Sequence, residues 1–203
     1  MVMNKIVGKR ILGFSFMISA ALFICVSAQA DVLNKNYFDL KDRQELILLG
    51  NVERYHLSPE KFWKWYSAGK FYLAIDEIKF VLRYFPNHPN ALELLGFTAK
   101  LNKTPALAIP YFENALSLYP QYGLTHAQYG KYLVEIGSLE EGITRLKKAI
   151  EIDPKLAVAY EWLSKAYSKS GDMELGRQAA EKAKELGYKG KAEKELKNNE
   201  TEN

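Results

Sequence analysis

The sequence predicts an all-α solenoid of about four helix-turn-helix units, and three observations carry that expectation. Pro86, Pro120 and Pro154 stand 34 residues apart. Ala74, Ala108, Gly142 and Gly176 keep the same 34-residue spacing, as do Val81, Ala115, Ala149 and Ala183. Between these columns, apolar residues recur every three or four positions, the period of an amphipathic helix. A fixed period of this length marks stacked supersecondary units, each burying its apolar face on its neighbours.

Further columns share the register. Ile75, Ile109 and Ile143 align, as do Gly96, Gly130 and Ser164, with bulky Leu95, Tyr129 and Leu163 one place earlier. Together they define units 55–88, 89–122, 123–156 and 157–190. Each unit reads as two helices around a short turn, and Gly69, Gly137 and Gly171 fall in those turns. Ser138 and Glu141 have capping-box spacing, and Asp172 and Thr104-Pro105 mark helix starts. Small residues belong where paired helices cross, because only Gly, Ala or Ser lets two backbones approach closely. Bulky Ile78, Phe112 and Leu146 fill the space between neighbouring hairpins. The prolines end the second helices. Pro110 lies about six residues into the second helix of the second unit. Either that helix starts late, or it is kinked at a cost of about 3 kcal/mol.

These columns resemble the tetratricopeptide repeat family over residues 55–190. The resemblance implies a right-handed superhelical solenoid that binds a protein or peptide on a concave face lined by the first helices. The first unit departs from the pattern: Phe62 takes the small position, and Ser58 replaces an aromatic. Ser58-Pro59-Glu60 looks like a helix start, so that helix is expected to be short. The last unit has Tyr188 where the proline would stand. Departures at both ends are those of capping units.

The flanks read differently. Residues 31–54 are expected to be ordered but irregular, with a helical turn or two over 42–49 and an extended stretch over 52–57. Residues 191–203 are rich in Lys, Glu and Asn and are expected to be a disordered polar tail. Residues 1–30 have the layout of a secretory signal peptide. Lys5, Lys9 and Arg10 precede an apolar run over 11–26, and Ala28 and Ala30 are the small pair before a cut at Asp31. The run falls short of the ~20 residues that span a bilayer comfortably. The expected location is therefore the periplasm; the alternatives are an uncleaved inner-membrane anchor or secretion. Cys25 is the only cysteine and lies in this segment, behind an Ile24 too bulky for a lipid-attachment site. Cleavage leaves a chain with no thiol, as suits an oxidising compartment.

Charge narrows the function. The chain carries a net +4, but three of its 28 basic residues and none of its 24 acidic ones lie in 1–30. The remainder is nearly neutral, so no basic field argues for nucleic acid. No phosphate loop, nucleophile elbow or zinc-protease pair is present. His126 takes an aromatic core column, and His56 and His88 without a Cys make a weak metal site. The expectation is a non-enzyme with no cofactor and no metal.

What the resemblance does imply is a groove. Its positions correspond to Trp63 and Tyr66; Asn90, Glu93, Phe97 and Lys100; Ala127, Lys131 and Glu135; Glu161, Lys165 and Ser168. Aromatics at one end and mixed charges at the other suit an extended peptide or a partner helix. The competing reading makes Trp63 and Phe97 partly buried core and the charges a solvated face. The Lys and Asn pattern with which some family members clamp a C-terminal carboxylate is missing. The expected function is a protein-protein interaction scaffold or adaptor in the cell envelope. The alternatives are an accessory subunit of an exported enzyme or transport system, and a self-assembling structural protein.

Overall fold

The computed structural model describes residues 33–189; the expected signal peptide 1–30 and the expected disordered tail 191–203 lie outside the described residues. Among the described residues the fold is wholly helical. It runs α1 Arg43–His56, α2 Pro59–Ser67, α3 Phe71–Tyr84, α4 Pro89–Leu101, a 3-10 turn Pro105–Leu107, α5 Ile109–Leu118, α6 Gly123–Glu135, α7 Leu139–Ile152, α8 Ala157–Ser170 and α9 Met173–Glu185. From α2 onward the helices pair as antiparallel hairpins, and α4, α6 and α8 begin 34 residues apart. This is a helical repeat solenoid.

The tightest hairpin is α6–α7. A Cβ on Gly130 would lie 2.8 Å from the Gly142 carbonyl oxygen and 2.8 Å from Leu146 Cγ. The small column therefore exists because the backbones nearly touch. Around it Phe112 stacks on Tyr129 at 5.1 Å and on Tyr132 at 5.5 Å. The apolar core is continuous in two clusters that meet on α6, one reaching back to Val52 and one forward to Ala179.

Most turns between paired helices use glycine at positive φ: Gly69 at 68°, Gly137 at 98° and Gly171 at 89°. The second unit instead places Lys103 at φ 56°. Pro110 sits in the first turn of α5, where its missing N–H costs nothing, so the helix starts late and is not kinked.

Several expectations need correction. Residues 43–56 are not irregular, nor is 52–56 extended: they form α1. Asp42 caps it by accepting the Glu45 N–H at 2.8 Å, and the Glu45 carboxylate accepts the Lys41 N–H at 2.8 Å. Val52 is buried and Leu48 and Leu49 pack on the core, but Leu46 and Ile47 are exposed. With apolar residues on both faces, the helical period was hidden. The short helix expected from Ser58-Pro59-Glu60 is present: α1 runs to His56, and α2 begins at Pro59 and is nine residues long. The capping box at Ser138 does not form: Ser138 makes no side-chain cap bond. Its N–H, which Glu141 would have accepted, is given to the Leu133 carbonyl at 2.9 Å. Asp172 makes no cap bond either, and accepts instead from the Ser170 hydroxyl at 2.8 Å.

Ahead of α1, residues 34–38 form a strap across two inter-repeat turns. Lys35 N–H donates to the Tyr84 carbonyl at 2.6 Å, and Tyr37 N–H to Asn87 Oδ1 at 2.9 Å. Phe38 then stacks on Tyr122 at 4.9 Å.

Candidate partner-binding groove

The first helices α4 and α6 present an open cavity of about 480 Å³. Its walls are Leu57 and Pro59 from the α1–α2 junction; Asn90, Leu92, Glu93, Leu94, Gly96, Phe97 and Lys100 from α4; Phe112 from α5; and Gln128, Lys131, Tyr132 and Glu135 from α6. A smaller cavity of about 140 Å³ continues towards α8, lined by Lys131, Val134, Glu135, Trp162, Lys165 and Lys169. Lys131 and Glu135 belong to both.

Of the residues singled out from sequence, the larger cavity brings together Asn90, Glu93, Phe97, Lys100, Lys131 and Glu135. Lys165 lines the smaller one. Glu161 bonds Lys165 at 2.9 Å, one helical turn away. Trp63 and Tyr66 do not line either cavity; Trp63 is 51% exposed and meets Tyr66 edge-on at 5.5 Å. The late start of α2 explains this, because the α1–α2 junction takes the place beside α4. Ala127 is not a groove residue: it is fully buried in the second core cluster. Ser168 is exposed, donates to the Ser164 carbonyl at 3.0 Å and faces Gly176.

Ion pairs bridge the groove floor. Lys131 pairs with Glu93 at 2.6 Å, and Lys100 pairs with Glu135. Lys131 also lies 5.0 Å from the Trp162 ring centre. The Tyr132 hydroxyl donates to the Pro105 carbonyl at 2.7 Å, and burial, with Glu135 nearby, pushes its pKa up to about 12. The hydrogen bond that Lys165 donates to Glu161 raises the lysine's pKa. Phe97 is 39% exposed, a large aromatic held at the surface by a rigid helix.

One polar group is left over. The Gln128 side chain is 6% exposed; its Nε2 donates to the Pro89 carbonyl at 3.0 Å, but its Oε1 is buried without a donor. Gln128, Trp162 and Lys169 were missed from sequence. A signal was available for two of them, because Gln128 and Trp162 share a column 34 residues apart and both line the groove.

The histidines have structural partners. His88 is fully buried at the head of α4, where its Nδ1 accepts the Ala91 N–H at 3.3 Å and its Nε2 faces Glu53 at 3.1 Å. His56 pairs with Glu77 and stacks on Phe80 at 4.0 Å. His56 and His88 are thus tied to different carboxylates and not to each other. His126 bonds the Pro120 carbonyl at 2.9 Å. Among the described residues no cluster of three or more His, Cys, Asp or Glu is placed to hold a metal.

Two family profiles match, the TPR repeat over residues 130–171 and the tetratricopeptide repeat over residues 157–187. Residues 130–187 are tetratricopeptide repeats. The chain's repeats in turn resemble those of solved structures. PilF of Pseudomonas aeruginosa is 18% identical with a TM-score of 0.52; the likeness covers 68% of this chain and 63% of that one, and it shows the fold. MamA is 27% identical with a TM-score of 0.48, covering 61% of this chain and 72% of that one. YrrB, a TPR protein with an unusual peptide-binding site, is 23% identical with a TM-score of 0.47, covering 61% and 63%. No curated protein matches the chain. Tetratricopeptide repeats are protein-protein interaction modules, and that general role follows from the repeats themselves.

Proposed function

We propose that this chain is a non-catalytic scaffold or adaptor of a bacterial cell envelope that holds a peptide or partner helix in the groove between α4 and α6. The observation that carries the reading is Phe97. It stands 39% exposed in the wall of a 480 Å³ cavity, on a helix whose opposite face is fully buried. A rigid aromatic in an apolar, open cavity is the usual anchor of an interface. The surrounding ion pairs are exposed, so each contributes little and can be exchanged for contacts with a partner. The envelope location rests on residues 1–30, whose charge, apolar run and small pair fit an export signal.

A photocrosslinking side chain at position 97, expressed in cells, tests the groove. A discrete adduct is expected there and none from the same group at Arg83, an exposed position on α3. Equal labelling at both positions would remove the groove from consideration. N-terminal sequencing of the recovered protein tests the location. Asp31 is the expected first residue, whereas an intact Met1 form in the membrane fraction would make the protein anchored.

A further inference from the structure

We propose that the groove takes a peptide in which an apolar anchor is followed by a run of acidic side chains. The anchor sits between α4 and α6, and the acids lie on Lys131, Lys165 and Lys169. The proposal rests on the groove reading above and adds the chemistry of the ligand.

Four residues occupy the same place on successive first helices: Trp63, Phe97, Lys131 and Lys165, each 34 residues after the last. Along this line the surface changes from aromatic to cationic. The two cavities repeat the change. The larger sets Leu57, Leu92, Leu94, Phe97, Phe112 and Tyr132 beside two lysines balanced by two glutamates; the smaller has three ammonium groups and a single carboxylate, Glu135. Glu135 is held by Lys100, as Lys131 is by Glu93 and Lys165 by Glu161, in surface pairs that a ligand can exchange; Lys169 has no ion pair among the described residues. Because Lys131 and Glu135 line both cavities, one extended ligand can occupy the two together. Lys165 and Lys169 are one turn apart on α8 and so face the same way. They make a row and not a single point, which suits successive acidic side chains. The Trp162 ring, 5.0 Å from Lys131 Nζ, holds that ammonium at the junction of the two cavities.

A second observation points to a ligand independently of charge. Gln128 lines the larger cavity, its Oε1 is buried with no donor, and its Nε2 is bonded to the Pro89 carbonyl. A buried acceptor without a partner is costly and rare. A peptide that shifts this amide can satisfy it with a backbone N–H beside the anchor residue. An apolar small molecule without N–H groups would not.

Selection of a random dodecapeptide display library on the immobilised full chain tests the proposal. The enriched sequences should share an apolar residue followed within a few positions by Asp or Glu. A synthetic copy of the leading sequence should bind about tenfold more weakly when its acids become Asn and Gln, and should weaken as salt rises. Lys165→Glu with Lys169→Glu alters exposed side chains only, and should turn the selection towards Lys and Arg. An enriched motif without acids, lost in Phe97→Ala, would overturn the acidic reading and leave the groove standing. No enrichment on the chain would overturn both. Enrichment only after Glu193, Glu195, Glu200 and Glu202 are changed to Gln would assign the cationic end to the chain's own tail and overturn the proposal.

Discussion

Gly130 and Gly142 face each other across the α6–α7 crossing so closely that a Cβ on either would lie 2.8 Å from the other's carbonyl oxygen. The obstacle is backbone, which cannot swing aside as a side chain can. Gly130→Leu should therefore destabilise by about 3 kcal/mol, at the upper end of ordinary overpacking. Gly50 makes the contrast. It is exposed in α1 with nothing within 4 Å of an added Cβ. Gly50→Ala should stabilise by about 0.5–1 kcal/mol by restricting the unfolded chain and favouring helix. Urea denaturation of the two variants reads both signs. An unchanged midpoint for Gly130→Leu would show that the crossing is not tight.

Lys103 holds the α4–α5 turn at φ 56°, where the other hairpins place glycine. A side chain in the left-handed region costs about 1–2 kcal/mol, part of which glycine returns as extra freedom in the unfolded state. Lys103→Gly should raise stability by about 0.5–1 kcal/mol. A fall in the melting temperature would mean that the lysine side chain holds the turn.

Acid should loosen the solenoid. Burial pushes the imidazoles of His88 and His126 below their ordinary value of 6.5. The unfolded chain then binds protons that the folded chain does not, so stability is full above that value and falls as pH drops through it. The Glu45 and Glu77 carboxylates, held below 4.5 by bonds to Lys35, Lys41, Lys61 and His56, add a further loss of the same sign at lower pH. At His88 the geometry explains the penalty. Its Nδ1 is the acceptor that caps α4, so protonation there breaks the cap and leaves a charge in a fully buried site beside the Tyr37 ring. His88→Asn keeps a cap acceptor and removes the proton site. Urea midpoints should fall between about pH 8 and about pH 5.5 in the parent, and fall less in the variant. Equal losses in both would acquit His88.

The fold was legible in the sequence because the constraint behind it repeats. Where helices cross at Gly130–Gly142, only small residues fit, and small residues recur in that column in the second to fourth units. The ends do not repeat, and there the reading failed. Helix α1 exposes Leu46 and Ile47 while burying Val52, so its pattern was not that of a one-faced helix. The strap at Asn36 and Tyr37 is held by single bonds to Asn87 and Tyr122, which no period encodes. In the groove, Glu93, Phe97, Lys100, Lys131 and Glu135 could be placed by the register together with the family resemblance. Trp63 and Tyr66 could not, because the unforeseen helix α1 brings Leu57 and Pro59 into the place beside α4. Gln128 shares a column with Trp162 that register could have flagged, but its missing partner shows only in the fold.

Phe97 and Phe112 line the same cavity, and comparing them separates binding from packing. Phe112 is 1% exposed, stacked between Tyr129 and Tyr132, and belongs to the first core cluster. Phe112→Ala should cost about 3–5 kcal/mol through the lost burial and the cavity left behind. Phe97 is 39% exposed and outside that cluster, so Phe97→Ala removes far less buried area and should cost about 1 kcal/mol. The effect on a partner should run the other way round. With Phe112→Ala, recovery of the partner should follow the fraction folded and return when the temperature is lowered. With Phe97→Ala, recovery should be lost at every temperature while the helical circular dichroism signal stays intact. Charge substitutions at Lys131 or Lys165 should weaken the partner mainly at low salt, because exposed charges act through association rate and orientation. If Phe97→Ala unfolds the chain, the residue is core and the groove loses its anchor. If the folded variant still recovers its partner in full, the binding surface lies away from α4, and the exposed outer face of α1 with Leu46 and Ile47 becomes the next surface to vary.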